Sequence, residues 1–252
     1  MLTIDYALLG IKEGERVLDI GCGAGRHSFE AYKYNCRVYA LDVGEENLAK
    51  TGYILRLMEE QSGAEWTLLR ADALRLPFRD SCFDKVICSE VLEHLYQDEQ
   101  AIGEMVRVLK DDGKLGISVP TYLSETIFWK LSRDYCRQPG GHVRKYKAGE
   151  IIALLQQHGL RIYAIRRKHA LHSFYWLLRC LFGLKRENAL IPSVYHRFLV
   201  WDINTKTRPI RLLESLLDHF MAKSVVYYAY KAKLRDYGTQ TQGDTRTLSR
   251  VG

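Results

Sequence analysis

Short apolar runs alternate with amphipathic segments along most of this chain of 252 residues. Apolar and β-branched residues dominate the runs, which predicts buried strands. In the segments between them, apolar side chains recur every three or four residues, which predicts helices. Because strands and helices alternate, the pattern indicates an α/β fold with a mostly parallel sheet and helices on both faces. The predicted strands are 16–20, 36–42, 66–70, 83–88, 114–119, 160–167 and 224–233, and the predicted helices are 26–34, 45–60, 97–109 and 148–158.

Two segments are too long to be simple connections between these elements. One is 121–146, and the other is 169–223, which separates the last two strands by 55 residues. Structureless connections of that length are rare in compact domains. We expect both segments to be helical insertions that cap the active site of a single domain, 1–237. The polar tail, 238–252, is expected to be disordered.

Charge is unevenly distributed along the chain, whose net formal charge is +7. Between residues 161 and 236, fifteen Lys and Arg residues stand against five acidic ones, so the remainder of the chain is slightly acidic. A basic region suits phosphates, anionic lipid or an acidic substrate, and it equally suits a solvated surface. The basic character therefore belongs to the C-terminal third.

Cysteine spacing and hydropathy indicate the compartment. The six cysteines include no Cys-x-x-Cys pair, which argues against a zinc site or a disulfide framework. The N-terminus lacks the basic and apolar regions of a signal peptide. The most apolar later stretch, 170–184, is shorter than the roughly twenty residues of a spanning helix. We therefore expect a cytoplasmic protein with reduced thiols and no transmembrane segment.

The most informative motif is the string VLDIGCGAGR at residues 17–26. A strand runs into a glycine turn that opens a helix, so the backbone can approach a ligand and the helix N-terminus can face an anion. A dinucleotide fingerprint needs a third glycine where Arg26 stands, which disfavours a dehydrogenase. The spacing is instead Asp19-x-Gly21-x-Gly23-x-Gly25.

This spacing resembles the first motif of the class I S-adenosylmethionine (SAM) dependent methyltransferases, in particular the ubiquinone/menaquinone-type and small-molecule group. The resemblance covers about residues 13 to 167 and the final strand. It implies SAM as the cofactor and a doubly wound, Rossmann-like, seven-stranded sheet whose last strand is antiparallel. It also implies that the loop with Gly21, Gly23 and Gly25 wraps the amino-acid end of SAM. Asp19 would organise the site near the amino group.

Two further acidic residues follow the second and third predicted strands. Asp42 ends the second strand, where a carboxylate can accept hydrogen bonds from both ribose hydroxyls. The alternative is that Asp42 only caps the next helix, and the glycine motif upstream favours binding. Asp72 and Ala73 resemble the family's adenine segment. The resemblance implies that Asp72 accepts from the adenine amino group and that the Ala73 N–H reaches a ring nitrogen. The alternative is a turn aspartate.

Residues 83–94 resemble the fourth strand of the family and the segment after it. Glu90 would lie at the carboxyl end of that strand, beside the ligand cleft, and we predict that it contacts the cofactor. The string Glu90-x-x-Glu93-His94 also resembles a divalent-metal ligand set of some quinone-pathway and small-RNA methyltransferases. Because the same string is common in members with no known metal, we predict no resident metal.

Two histidines are candidate bases. Residues 141–146 resemble the family's Gly-His-x-Arg segment, which closes over the substrate side. His142 in that segment and His94 can each accept a proton from an O–H nucleophile. The alternative for His142 is a loop residue that caps the next helix. We predict His94 and His142 as the catalytic residues.

The sequence therefore predicts a SAM-dependent methyltransferase with a small-molecule acceptor, lipophilic and lipid-linked acceptors included, and favours O-methylation. Apolar and basic residues within 169–223 suit peripheral contact with the inner face of a membrane, or an ordinary buried cap. One alternative is an RNA or other nucleic-acid methyltransferase, prompted by the positive charge. The chain lacks the Asn/Asp-Pro-Pro-Tyr/Phe and Pro-Cys motifs of base methylation, so we do not expect nucleic acid as the substrate. A non-catalytic SAM-binding scaffold is disfavoured by the intact Asp19, Asp42 and Asp72.

Overall fold

Seven strands form one sheet in the computed structural model, which describes residues 2–59, 64–136, 141–184, 186, 189–205 and 207–232. The strands are β1 (Arg16–Ile20), β2 (Arg37–Asp42), β3 (Trp66–Arg70), β4 (Phe83–Ser89), β5 (Leu109–Pro120), β6 (Leu160–Lys168) and β7 (Ser224–Lys231). Their spatial order is β3-β2-β1-β4-β5-β7-β6. Strand β7 runs antiparallel to β5 and β6, and the other neighbours are parallel. The prediction of a Rossmann-like sheet with an antiparallel last strand is confirmed.

Helices cover both faces of the sheet. They are α1 (Tyr6–Leu9), α2 (Arg26–Lys33), α3 (Glu45–Glu59), α4 (Asp98–Val108), α5 (Tyr122–Leu131), α6 (Arg133–Cys136), α7 (Ala148–Gln157), α8 (Ala170–Phe182), α9 (Leu190–Thr205) and α10 (Arg208–Met221). Successive residues of a strand point to opposite faces. Leu18 and Val86 therefore join the core beneath α4 and α7, while Val17 and Ile87 join the core beneath α1, α2 and α3.

Strand β5 is longer than the sequence predicted. The pattern indicated a turn at Asp112-Gly113 with the strand beginning at residue 114, whereas the strand begins at Leu109. Asp112 adopts a left-handed backbone with φ +61°, and the β4–β5 register shifts between Phe83 and Lys85. A local irregularity of this kind lets a strand continue through residues that otherwise favour a turn.

The two long insertions contain helices. Helices α5 and α6 fall within 121–146, and helices α8, α9 and α10 fall within 169–223. Helix α8 packs against α5, α9 and α10, which joins the two insertions. Within the described part of the chain, no helix is long and apolar enough to cross a membrane. The polar tail, 238–252, lies outside the described residues.

Candidate functional site

Most residues assigned to the cofactor follow the carboxyl ends of neighbouring parallel strands. Ile20 of β1 aligns with Leu41 of β2 and with Cys88 of β4, so the segments after these strands begin at one edge of the sheet. The backbone N–H of Ala71, after β3, donates to the carbonyl of Asp42. Ligands of open α/β sheets bind at this edge.

The glycine loop between β1 and α2 has three residues with positive φ, at +64° for Gly21, +53° for Gly23 and +81° for Gly25. Their surroundings differ. A Cβ on Gly21 would lie 2.4 Å from Val91, and one on Gly25 would lie 2.5 Å from Phe29. A Cβ on Gly23 would meet nothing within 4 Å. Gly21 and Gly25 therefore permit close packing, whereas Gly23 borders open space in which a ligand can approach the backbone.

Asp42 fastens the glycine loop to the end of β2. One carboxylate oxygen, Oδ2, accepts the backbone N–H of Gly23 at 2.9 Å. The other, Oδ1, accepts the N–H of Gly44 at 2.7 Å and the side-chain amide of Asn47 at 3.4 Å. Asp42 thus holds the turn before α3, as the capping alternative predicted, and also positions the loop. Because each carboxylate oxygen has two lone pairs, acceptor capacity remains for a ribose hydroxyl.

Asp19 is buried inside the loop and faces α2. Its carboxylate accepts the Ser28 hydroxyl at 2.6 Å, which ties β1 to the start of α2. Burial raises the pKa of Asp19 to about 6, although the Ser28 hydroxyl and the charge of Arg26 oppose the rise. A cationic group bound nearby, such as the ammonium of an amino acid, would favour the ionised form.

The adenine segment has one exposed and one buried member. Asp72 is exposed, and its Oδ1 accepts the N–H of Leu74 at 2.9 Å, so it also closes a turn. The side chain of Ala73 is buried in the core. The carboxylate of Asp72 therefore remains reachable while Ala73 fixes the backbone beside it.

Glu90 has a strained backbone at the end of β4, with φ +58°. Its Oε1 accepts the hydroxyl of Ser118 at 3.0 Å, and its Oε2 lies 3.4 Å from the ammonium of Lys223. No sequence pattern pointed to Lys223, which lies 133 residues further along the chain just before β7. Non-glycine residues with positive φ cluster at functional sites, where the surrounding contacts hold them.

His94 and His142 meet beside the buried carboxyl of Glu93. Their ring centroids are 4.9 Å apart, and Nε2 of His142 lies 3.9 Å from Oε1 of Glu93. Neither carboxyl oxygen of Glu93 has a hydrogen-bond partner among the described residues. Burial raises the pKa of Glu93 well above its usual range, and the charge of Glu90 adds to the rise. One ligand atom from each of Glu93, His94 and His142 lies within 4.8 Å of the others, a spacing that suits a divalent ion.

Glu125 of α5 holds the other side of the His142 ring. Its Oε2 lies 2.7 Å from Nδ1 of His142 and accepts the indole N–H of Trp129 at 3.0 Å. Its Oε1 accepts the hydroxyl of Tyr135 at 2.9 Å. Burial disfavours the charge of Glu125, but the contacts with His142 and Tyr135 outweigh burial and lower its pKa. Because an ionised carboxylate only accepts, Nδ1 of His142 carries a proton, and in the neutral ring Nε2 is then the acceptor.

No sequence pattern pointed to Glu125 as the partner of the candidate base, or to Trp129 and Tyr135 as donors to Glu125. A glutamate within a mostly apolar helix, Tyr122–Leu131, is the local signal, because an acid is rarely buried without a partner. The sequence gives no indication of which residue that partner is.

The loop and its acids fit SAM chemically. Gly23 leaves room for a ligand against the backbone, Asp42 offers acceptors beside it, and buried Asp19 favours a cation nearby. An amino acid joined to a nucleoside presents that combination of ammonium, ribose hydroxyls and base. These residues would hold SAM, which supplies a methyl group bound to a positive sulfur.

Comparison with known proteins agrees with this geometry. Residues 18–117 match the methyltransferase domain family, a range that includes every cofactor residue named above. A SAM-dependent methyltransferase of Methanosarcina mazei has the same fold, with a TM-score of 0.61 over 92% of this chain and 99% of that one, at 18% identity. The fold and glycine loop define a Rossmann-like nucleotide-binding domain. More particularly, residues 18–117 match a methyltransferase domain, and SAM is the cofactor that this match and the glycine motif imply.

Two curated relatives act on lipophilic molecules according to their names. A sterol 24-C-methyltransferase of Schizosaccharomyces pombe is 29% identical over 50% of this chain and 31% of its own length. A demethylmenaquinone methyltransferase of Lactobacillus johnsonii is 32% identical over 56% of this chain and 62% of its own length. The chain thus spans less than two thirds of either relative.

Replacing Gly23 by alanine is expected to weaken SAM binding at least tenfold, about 1.4 kcal/mol, because the Cβ fills the open space beside the loop. Gly14→Ala is the matched control. Gly14 also has positive φ, +76°, with nothing within 4 Å of an added Cβ, but it lies before β1. Calorimetric titration with SAM should detect the loss only in Gly23→Ala. Equal losses in both variants would attribute the effect to backbone strain.

Proposed function

We propose that this protein transfers the methyl group of SAM to an oxygen of a small, lipophilic acceptor. The observation that carries the proposal is the pairing of His142 with buried Glu125 beside Glu93, which follows β4 at the edge of the sheet where the cofactor loop lies. Methyl transfer is an in-line displacement, so placement of the two reactants lowers much of the barrier. A hydroxyl nucleophile also needs a base, and a paired histidine supplies one.

The proton is taken up by Nε2 of His142. That nitrogen would take the hydroxyl proton of the acceptor, whose oxygen would receive the methyl group that bound SAM supplies, with S-adenosylhomocysteine as the leaving product. Glu125 holds the Nδ1–H and stabilises the imidazolium that forms. An amine or carboxylate acceptor would not require this arrangement. His94 packs edge-on against the His142 ring and keeps it in place.

Aromatic rings lead from the base into the cap. The ring of Tyr135 contacts His142 at 6.0 Å and Trp176 of α8 at 5.7 Å between centroids. Lys145 lies over the rings of Trp129 and Tyr122. Flat apolar surfaces beside the base suit a ring-containing or long-chain acceptor. The sterol and menaquinone relatives support a lipophilic acceptor but not the oxygen, since the sterol enzyme is named for methylation at a carbon.

Incubation with methyl-labelled SAM and a panel of phenolic, isoprenoid and lipid-linked alcohols is the direct test. We expect label in at least one acceptor, with S-adenosylhomocysteine as the second product, and no label with the methyl-ether form of that acceptor. Amines of matched shape serve as the chemical control, since they do not need a base. Exclusive labelling of amines, carbons or RNA would contradict O-methylation. Tight SAM binding with no turnover of any acceptor would favour the scaffold function.

A further inference from the structure

Helix α10 presents its apolar side to solvent. Leu212, Leu213, Leu216 and Phe220 are all exposed to solvent, and the exposed fraction of Phe220 is 76%. At about 100° per residue, these positions cover one arc of roughly 100° on the helix. A helix that packs on a soluble core ordinarily turns this face inward. The arrangement on α10 is the reverse.

The inward side of α10 is charged. Arg211 pairs with buried Asp202 of α9 and with Glu214 on its own helix. Asp218 accepts the backbone N–H of Ala170 at 2.8 Å and so caps the start of α8. On the helical wheel, these three residues of α10 lie about 180° from the exposed leucines. The ion pairs thus fix the orientation of α10, and the exposed apolar side is a consequence of the fold.

Helix α9 repeats the pattern. Leu190, Ile191, Val194 and Trp201 are exposed and share one arc of the helix. Arg197 lies one turn before Trp201, and Arg208 lies one turn before Leu212, and both arginines are exposed. Two neighbouring helices therefore carry exposed apolar arcs with arginines at their margins. Apolar patches of this kind mark sites of contact with another surface.

Charge identifies that surface. Segment 169–223 holds eight Lys and Arg residues and four acidic ones. Among the acids that the structure describes, Asp202 and Glu214 are buried and Asp218 is engaged at α8, so the outward charge is basic. A second copy of the chain would bring arginines against arginines across a two-fold contact. Anionic lipid headgroups complement the arginines, and the acyl region accepts the leucines.

We infer that the outer faces of α9 and α10 form a docking surface for an anionic lipid bilayer, with the helices lying in the plane of its interface. Helix α8 packs on both of these helices and on α5, which carries Glu125. A lipophilic acceptor would then pass from the bilayer to the base along the aromatic rings of the cap. This last step rests on the proposed function, whereas the docking surface itself depends only on the helices.

Vesicle co-sedimentation of the full chain tests the inference. We expect at least about tenfold tighter binding to phosphatidylcholine vesicles containing about a third phosphatidylglycerol than to pure phosphatidylcholine, with a loss in high salt. The triple variant Leu212→Gln, Leu216→Gln, Phe220→Gln should lose about tenfold or more, because glutamine keeps helix propensity and removes apolar surface. The matched control is Tyr53→Gln, Ile54→Gln, Leu57→Gln on exposed positions of α3, and it should bind within about twofold of wild type.

Three results would overturn the docking surface. The first is that the wild type binds neither kind of vesicle, and the second is that the α10 variant binds as well as the control. The third is that the wild type is a dimer by light scattering which the α10 substitutions convert to a monomer, since a second copy would then cover the face. Calorimetry with SAM on every variant verifies the fold. A variant that binds SAM and turns over a detergent-solubilised acceptor, but that no longer binds vesicles, separates docking from catalysis.

Discussion

Replacing Asp42 by alanine is expected to weaken SAM binding by about 100-fold, or about 2.7 kcal/mol. The substitution removes the acceptor for the backbone N–H groups of Gly23 and Gly44 at once. Hydrogen bonds to a charged acceptor contribute about 1.5–3 kcal/mol each. Without them, the glycine loop is no longer fixed to the end of β2. The ribose also loses its acceptor. Calorimetric titration with SAM and with S-adenosylhomocysteine measures the effect.

Asp5→Ala separates ligand binding from helix capping. Asp5 accepts the backbone N–H groups of Ala7 and Leu8 at the start of α1, as Asp42 does before α3. We expect both variants to melt at a lower temperature than wild type, because each loses a cap worth about 1 kcal/mol. Only Asp42→Ala should lose affinity for SAM. Retention of affinity within about threefold in Asp42→Ala would show that ribose binding does not depend on this residue.

Replacing His142 by alanine is expected to lower the turnover of a hydroxyl acceptor by about 1,000-fold, since a positioned base contributes about 100- to 10,000-fold. Glu125→Gln keeps the shape of the side chain but removes the charge that supports the imidazolium, so we expect a loss of about 100-fold. Both losses should fall on kcat, with SAM affinity unchanged. Stopped assays with labelled SAM, over a range of acceptor concentrations, give kcat and KM separately.

Added imidazole distinguishes a base from a structural residue. Imidazole should restore part of the turnover of His142→Ala, because it can occupy the space that the ring leaves. It should not restore the turnover of Glu125→Gln. His158→Ala is the control, since that histidine ends α7 and its Nδ1 contacts the carbonyl of Leu154. Turnover that requires added Mn²⁺ after chelation, and that Glu93→Gln abolishes, would assign His94 and His142 to metal binding and contradict the base.

The order of strands and the cofactor loop follow from local sequence. Buried runs such as Arg16–Ile20 and Phe83–Ser89 carry their strand signal within five to seven residues. Because parallel strands end at a shared edge, Asp42 was predictable as a neighbour of the glycine loop. The strained φ of Glu90 and the irregularity at Asp112 were not predictable, since both depend on how β4 pairs with β5.

The base and its partners depend on tertiary contacts. His142 and Glu125 are 17 residues apart, and Glu90 and Lys223 are 133 apart, with no periodicity that links either pair. The segment that returns from the α5 insertion brings the first pair together, since Val143 donates its N–H to the carbonyl of Glu93, and the pairing of β7 with β5 brings the second. Residue types alone therefore identified the histidine but not the carboxylate that orients it.

By itself the sequence determined the Rossmann-like sheet, the glycine loop and the acids that follow the strands, because strand propensity and helix periodicity are local properties. Helical spacing also indicated that α10 has an apolar side. Only the tertiary structure decided that this side faces outward, because the ion pair of Arg211 with Asp202 turns the charged side inward. A periodic pattern shows that a helix has two faces, and contacts with its neighbours determine which face the solvent meets.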